Sequence, residues 1–201
     1  FPTGAVVHPL FSLFRGVVWY GGSANESNDP AVYAALSQAD RSGGLRHYLE
    51  DGGRVLLCAH NAVGDSAGLG AAFAQEVLGI SEFFELDRST NIGMLSGALL
   101  ETDLTGGPDS LRMAGSVGTD FFLVDPDVTP LFQVRPGYFA ATYPAQVEDI
   151  EPDQREIPAA VGVLSTRAGR IGLLTFLPSR ANGFENRDAI LRALFRQVLL
   201  E

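Results

Sequence analysis

Two side chains that could do chemistry, Cys58 and His60, close the run Arg54-Val-Leu-Leu-Cys-Ala-His60. A thiol at the end of a buried strand, just before a turn, stands where strand-turn-helix folds present a nucleophile near main-chain amides able to hold an oxyanion. His60 could accept its proton or bind a ligand; the competing account is a structural histidine at a sheet edge, beside a cysteine that packs as a small hydrophobe. A little further on, Gly64-Asp-Ser-Ala-Gly68 spells G-x-S-x-G, the pattern in which a strained turn lifts a serine clear of a sheet. The chain has only three histidines, His8, His47 and His60, and none occurs among the 141 residues from 61 to 201. Triads built on that elbow run serine, acid, histidine, so Ser66 has no base in the required order. Ser66 or Asp65 is better read as the N-cap of a following helix.

Other candidates cluster nearby. Gly21-Gly22-Ser23 follows the apolar run Gly16-Val-Val-Trp-Tyr20, and Asn61 follows His60. If both runs are strands of one open sheet, these residues lie at its carboxyl edge, where such sheets bind ligands. Gly21, Gly22, Ser23 and Asn61 are therefore candidate ligand contacts. The glycines do not spell G-x-G-x-x-G and no P-loop lysine is present, so a nucleotide has no support. The groups Asp125-Pro-Asp127, Asp149–Asp153 and Glu82/Glu85/Asp87 offer the carboxylates a hard cation wants. None has EF-hand spacing and Asp-Pro pairs are common in turns, so no metal or cofactor is assigned. His47, between Arg46 and Tyr48, reads as solvated on a polar helix. Trp19, Tyr20 and Tyr138 could stack on a sugar, with core packing as the competing account of Trp19.

Composition bounds the classes of partner. The chain has 201 residues, 46% hydrophobic and 19% charged, which suits one well-packed domain and not a disordered one. Its net charge is −10, and all fourteen basic residues are arginine. Such a surface repels phosphates, which argues against nucleic acid and anionic membranes. One cysteine excludes an internal disulfide and a Cys-rich zinc site, and it leaves the compartment open. No apolar run is long enough to span a membrane.

The elements that must position these residues follow from local pattern. Gly16–Tyr20 and Arg54–Cys58 read as buried strands. Asn28-Asp29-Pro30 starts a helix over Ala31–Ala39, and a second helix, Gly43–Glu50, ends at Asp51-Gly52-Gly53. A third is expected over Ala67–Leu78, stopped at Gly79. From Ser81 to Ile157 the chain is rich in Gly, Pro and Asp with short apolar runs, and reads as irregular structure and short strands decorating the sheet. Ala159–Ser165 and Arg170–Phe176 form a hairpin across Thr166-Arg-Ala-Gly169. A final helix spans Glu185–Leu200, with Ile190, Leu194 and Val198 on one face and Leu191, Phe195 and Leu199 beside them. These pieces predict a single α/β domain over 1–201: a three-layer α/β/α sandwich on a mainly parallel sheet, with a loop-rich middle insertion and a C-terminal helix. Only fifteen residues precede Gly16, so the domain is expected to lack a first strand-helix unit supplied by a longer polypeptide.

The run Val17-Val-Trp-Tyr-Gly-Gly22, the run Leu45-Arg-His-Tyr-Leu-Glu-Asp-Gly-Gly-Arg-Val-Leu-Leu57 and the closing strand and helix resemble the class I glutamine amidotransferase-like superfamily. They are most similar to its non-amidotransferase members, found as modules of larger, often exported, bacterial proteins, and more loosely to ThuA-like domains. The resemblance implies a flavodoxin-like fold. In glutaminases of the superfamily the nucleophile stands in G-x-C-x-G-x-Q and the base and its acid in a late F-H-P-E. Cys58 falls on the nucleophile position, but Leu56 and His60 replace the glycines. Phe176-Leu-Pro-Ser179 puts Leu177 at the base and Ser179 at the acid. What the resemblance implies is then a non-catalytic module with a structural, protein-interaction or ligand-binding role in a larger protein or assembly, its compartment unknown, with periplasmic or extracellular favoured over cytoplasmic. Two alternatives stand beside it. One is a Cys58-dependent hydrolase or redox-sensing thiol protein; the other is a carbohydrate-binding ThuA-like module.

Overall fold

The computed structural model describes residues 10–21, 30–60, 62–63, 68–84, 94–114, 116–142, 156–176 and 178–201, and the statements below concern these. The opening unit is β1 (Gly16–Tyr20), α1 (Pro30–Arg41), α2 (Gly44–Glu50) and β2 (Arg54–Cys58). The glycines after α2 do the work their position implied: Gly52 adopts φ 86°, and the Gly52 and Gly53 N–H groups donate to Leu49 O and Tyr48 O, satisfying carbonyls that the helix end leaves open. β1 and β2 pair in parallel, Gly16 opposite Arg54 through Tyr20 opposite Cys58.

The next helix starts later than its sequence suggested. α3 begins at Ala71 (Ala71–Phe73) and widens at once into a π-type stretch (Ala74–Leu78) that ends at Gly79, φ 68°. Ser66 lies outside the described residues; the order at this end comes from Asp40, whose carboxylate accepts the Gly70 N–H at 2.7 Å. The middle segment supplies β3 (Ile80–Phe83), β4 (Met94–Ser96), β5 (Leu99–Thr102), β6 (Ser110–Arg112), β7 (Ser116–Gly118), β8 (Phe122–Val124) and β9 (Thr129–Gln133). Gly137–Thr142, expected among the short irregular runs, forms a short helix, α4 (Tyr138–Thr142). The hairpin is present as β10 (Ala160–Ser165) and β11 (Arg170–Leu174), and the last helix as α5 (Phe184–Leu194), widening into π-type turns over Phe195–Leu200.

Nine described strands form one sheet. Its main path runs β1-β2-β11-β10-β9-β5-β6, with β8 beside β10 and β3 beside β8, while β4 and β7 form a separate pair. The expectation of a mainly parallel sheet needs correcting. Parallel pairing is confined to β1–β2 and β2–β11, and the other described pairings are antiparallel. The hairpin β10–β11 reverses chain direction, and the middle segment then adds strands to the reversed side instead of merely decorating it. The domain is α/β with a mixed sheet and five described helices.

Alternation along β2 shows how the sheet is buried. Leu56 and Cys58 join a core with Phe132, Phe176, Leu194 and Val198. Val55, Leu57 and Ala59 join another with Leu45, Tyr48, Phe73 and Val77. Both faces of this central strand are dry, as its unbroken apolar sequence requires. The β10–β11 turn is tied down on one side by Arg167, whose guanidinium engages Asp125 and Asp127 and donates to Gln75 O at 2.8 Å. The arginine holds the Asp127 carboxyl below its ordinary range. On the other side Gly169, at φ 140°, lies so close to α2 that a Cβ there would stand 2.1 Å from Leu49 O.

Candidate functional site

The carboxyl ends of β1, β2 and β11 stop level, with Tyr20 and Leu174 both opposite Cys58. The ladder runs one residue further: Gly21 N–H donates to Cys58 O and Ala59 N–H to Leu174 O, each at 2.9 Å. A Cβ on Gly21 would stand 2.6 Å from Ala59 Cβ, so close packing alone requires glycine there. Of the other proposed ligand contacts, Gly22, Ser23 and Asn61 lie outside the described residues, as do His8, Leu177 and the Gly64–Ala67 part of the G-x-S-x-G run. Ser179 is exposed in a short turn, Pro178–Arg180.

Cys58 sits where a nucleophile would, but it is only 3% exposed and packs in the core. Burial disfavours the charged form and pushes the thiol up to about 12 from its ordinary value of 9.0. Burial thus favours the protonated sulfur near neutral pH.

His60, past the turn, faces a carboxylate. Its Nε2 lies 3.9 Å from Asp120 Oδ1, and the two side chains are 22% and 16% exposed. Asp120 is the residue that sequence reasoning missed. It stands outside the acidic groups singled out, in a loop sixty residues further along the chain, and only the pairing of distant strands brings it near His60. Its loop is pinned from beneath: Thr175 Oγ1 donates to Asp120 O at 2.9 Å, or alternatively to Val161 O at 3.0 Å, and lies 2.7 Å from Thr119 Oγ1. Thr119 and Thr175 are buried among apolar side chains, where hydroxyls are tolerated only when hydrogen-bonded.

The acidic groups suspected of holding cations do other things. Asp125 and Asp127 clasp Arg167, and Glu82 lies on β3, with Glu85, Asp87 and the 149–153 group outside the described residues. Among the described residues no group of three His, Cys, Asp or Glu side chains could hold a metal ion. Of the aromatics, Trp19 is half-buried and edge-on to Phe11 at 5.8 Å, and Tyr138 packs against Phe121 and Phe139. Tyr20 is 53% exposed, one residue before Gly21. His47 is exposed on α2. Along this edge lie a buried thiol, the His60–Asp120 pair and, on the neighbouring strand, the exposed ring of Tyr20.

No protein-family model matches the chain, and no curated protein matches it in sequence. Solved structures do match in shape. A ThuA-like protein from Bacteroides uniformis superposes with a TM-score of 0.55 at 15% identity, covering 95% of this chain and 72% of that one. A cytoplasmic protein from Salmonella typhimurium superposes with a TM-score of 0.52 at 11% identity, covering 98% of this chain and 76% of that one. At such identities the likeness is one of fold: the chain shares the architecture of a ThuA-like protein.

Proposed function

We propose that the chain is a non-catalytic binding module of amidotransferase-like and ThuA-like architecture, serving a larger protein or assembly. The observation that carries this reading is the burial of Cys58: the residue in the nucleophile position is a core side chain with a protonated sulfur. The same observation weighs against a Cys58-dependent hydrolase or redox sensor. Apolar cores on both faces of β2 support the finer, three-layer description. Under this reading Cys58→Ala leaves the biological activity of the parent protein within about twofold of wild type, because the thiol is not used as a nucleophile. Loss of that activity in a variant shown by circular dichroism to be folded overturns the reading.

A second reading has its own support. The ThuA-like neighbour, the exposed ring of Tyr20 and the His60–Asp120 pair at the same edge of the sheet suit a carbohydrate-binding module, with the ring stacking on a sugar face and the polar pair hydrogen-bonding hydroxyls. Calorimetric titration with a panel of mono- and disaccharides tests it, with Tyr20→Ala expected to abolish any heat observed. Binding indifferent to Tyr20 and His60 counts against it.

A further inference from the structure

Among the residues whose side-chain exposure is described, every exposed large apolar side chain belongs to one of two stretches, 10–20 and 191–200. The fold sets these stretches side by side. Val198 packs over β11, where a Cβ at Gly172 would lie 2.8 Å from it, and Leu199 packs over β1, where a Cβ at Gly16 would lie 3.3 Å from it. α5 thus crosses β2 with the row Leu191, Phe195, Leu199 turned toward β1. The helix follows β11 and comes back over it to end with Leu199 over Gly16, so Phe195 and Leu191 lie back along the helix from that contact, in the direction in which β1 runs on to Val18 and Tyr20. Val18 and Tyr20 are 47% and 53% exposed, and Phe195 and Leu191 40% and 37%. β1 ends the sheet among the described strands, and its sequence, GVVWY, has neither the charge nor the proline that usually blunts an edge.

Charge separates the occupants of this strip. The chain carries −10, yet the only charges within the two stretches are Arg15, Arg192 and Arg196. Adding Arg54 and Arg170, which donate to Leu199 O and Gln197 O, and the acids Asp188 and Glu201 that pair with Arg192 and Arg196 gives 5 − 2 = +3. A second copy would set these arginines against themselves and −10 against −10. We propose that the strip docks an extended apolar segment of another protein, flanked by acidic residues, which adds a strand to β1 and lays its side chains on Val18, Tyr20, Phe195 and Leu191. The inference rests on the binding-module reading and names the surface and the chemistry of its partner.

The test uses a fluorescent peptide with an alternating valine-threonine core and two glutamates at each end, and a control with lysines in place of the glutamates. The glutamate peptide is expected to bind below about 100 μM and the lysine peptide at least about tenfold more weakly. Val18→Lys with Phe195→Lys, both at exposed positions, is expected to weaken the glutamate peptide about tenfold or more while circular dichroism is unchanged. No binding, equal binding of both peptides, or binding indifferent to the double variant overturns the proposal. So does a dimer in light scattering that Val18→Lys dissociates, which would identify a second copy as the occupant. None of these results touches the Cys58 observation, so failure here and failure of the module reading are separable.

Discussion

Thr119 Oγ1 and Thr175 Oγ1 lie 2.7 Å apart in an otherwise apolar interior, and the second of them also reaches the carbonyl of Asp120. The pair joins the loop before β8 to the end of β11 and so sets the carboxylate that His60 faces.

Thr175→Val removes the partner of a buried hydroxyl. It is expected to lower unfolding free energy by about 1–3 kcal/mol, because Thr119 Oγ1 is left dry and unpaired. Thr119→Val with Thr175→Val should recover part of the loss, since both polar atoms are then gone. Urea melts of the three variants measure this, and a double variant worse than the sum of the singles would contradict it.

Gly169 and Gly52 both hold positive φ, but only Gly169 has a backbone atom in the way of a Cβ. Gly52→Ala is expected to cost about 1 kcal/mol, the strain of the backbone conformation alone. Gly169→Ala adds a clash with Leu49 O that must push the β10–β11 turn away from α2, so it is expected to cost at least about 3 kcal/mol. Comparable melting temperatures for the two variants would show that the hairpin does not need its close approach to α2.

Stability at high pH should carry the signature of Cys58. Its folded value, about 12, lies above its ordinary value of 9.0, so the unfolded chain loses the thiol proton first. The contribution is complete below about pH 9 and drains away as pH rises toward 12, at up to about 1.4 kcal/mol per pH unit. The Tyr48 hydroxyl is also raised by burial, against a hydrogen bond to Arg54 O that lowers it. The difference between wild type and Cys58→Ala cancels it, and a difference that stays flat from pH 8 to about 11 would mean that the sulfur is not desolvated.

Much of the frame was legible in the sequence. β1, β2, the β10–β11 hairpin and α5 announced themselves through unbroken apolar runs, a four-residue turn containing glycine, and an apolar stripe at helical spacing. Those signals are local, so they survive without knowledge of the fold. What escaped is non-local. The antiparallel half of the sheet comes from short strands of three to five residues whose runs are too brief to show a period. The helix expected from Ala67 starts at Ala71, beside a carboxylate, Asp40, thirty residues upstream. Cys58 could be placed at a strand end, but its burial depends on Phe132, Phe176 and α5 closing over it. Asp120 could not be matched to His60 by any spacing rule.

The central claim is that the thiol in the nucleophile position is a sealed core group. Alkylation of Cys58 by iodoacetamide at pH 7 measures it most directly, native protein against protein in concentrated urea. Labelling is expected to be slower in the native state by a factor on the order of 10³ or more, and to quicken only as the chain unfolds. Native labelling as fast as that of the unfolded chain would establish a solvent-reaching thiolate and contradict the account.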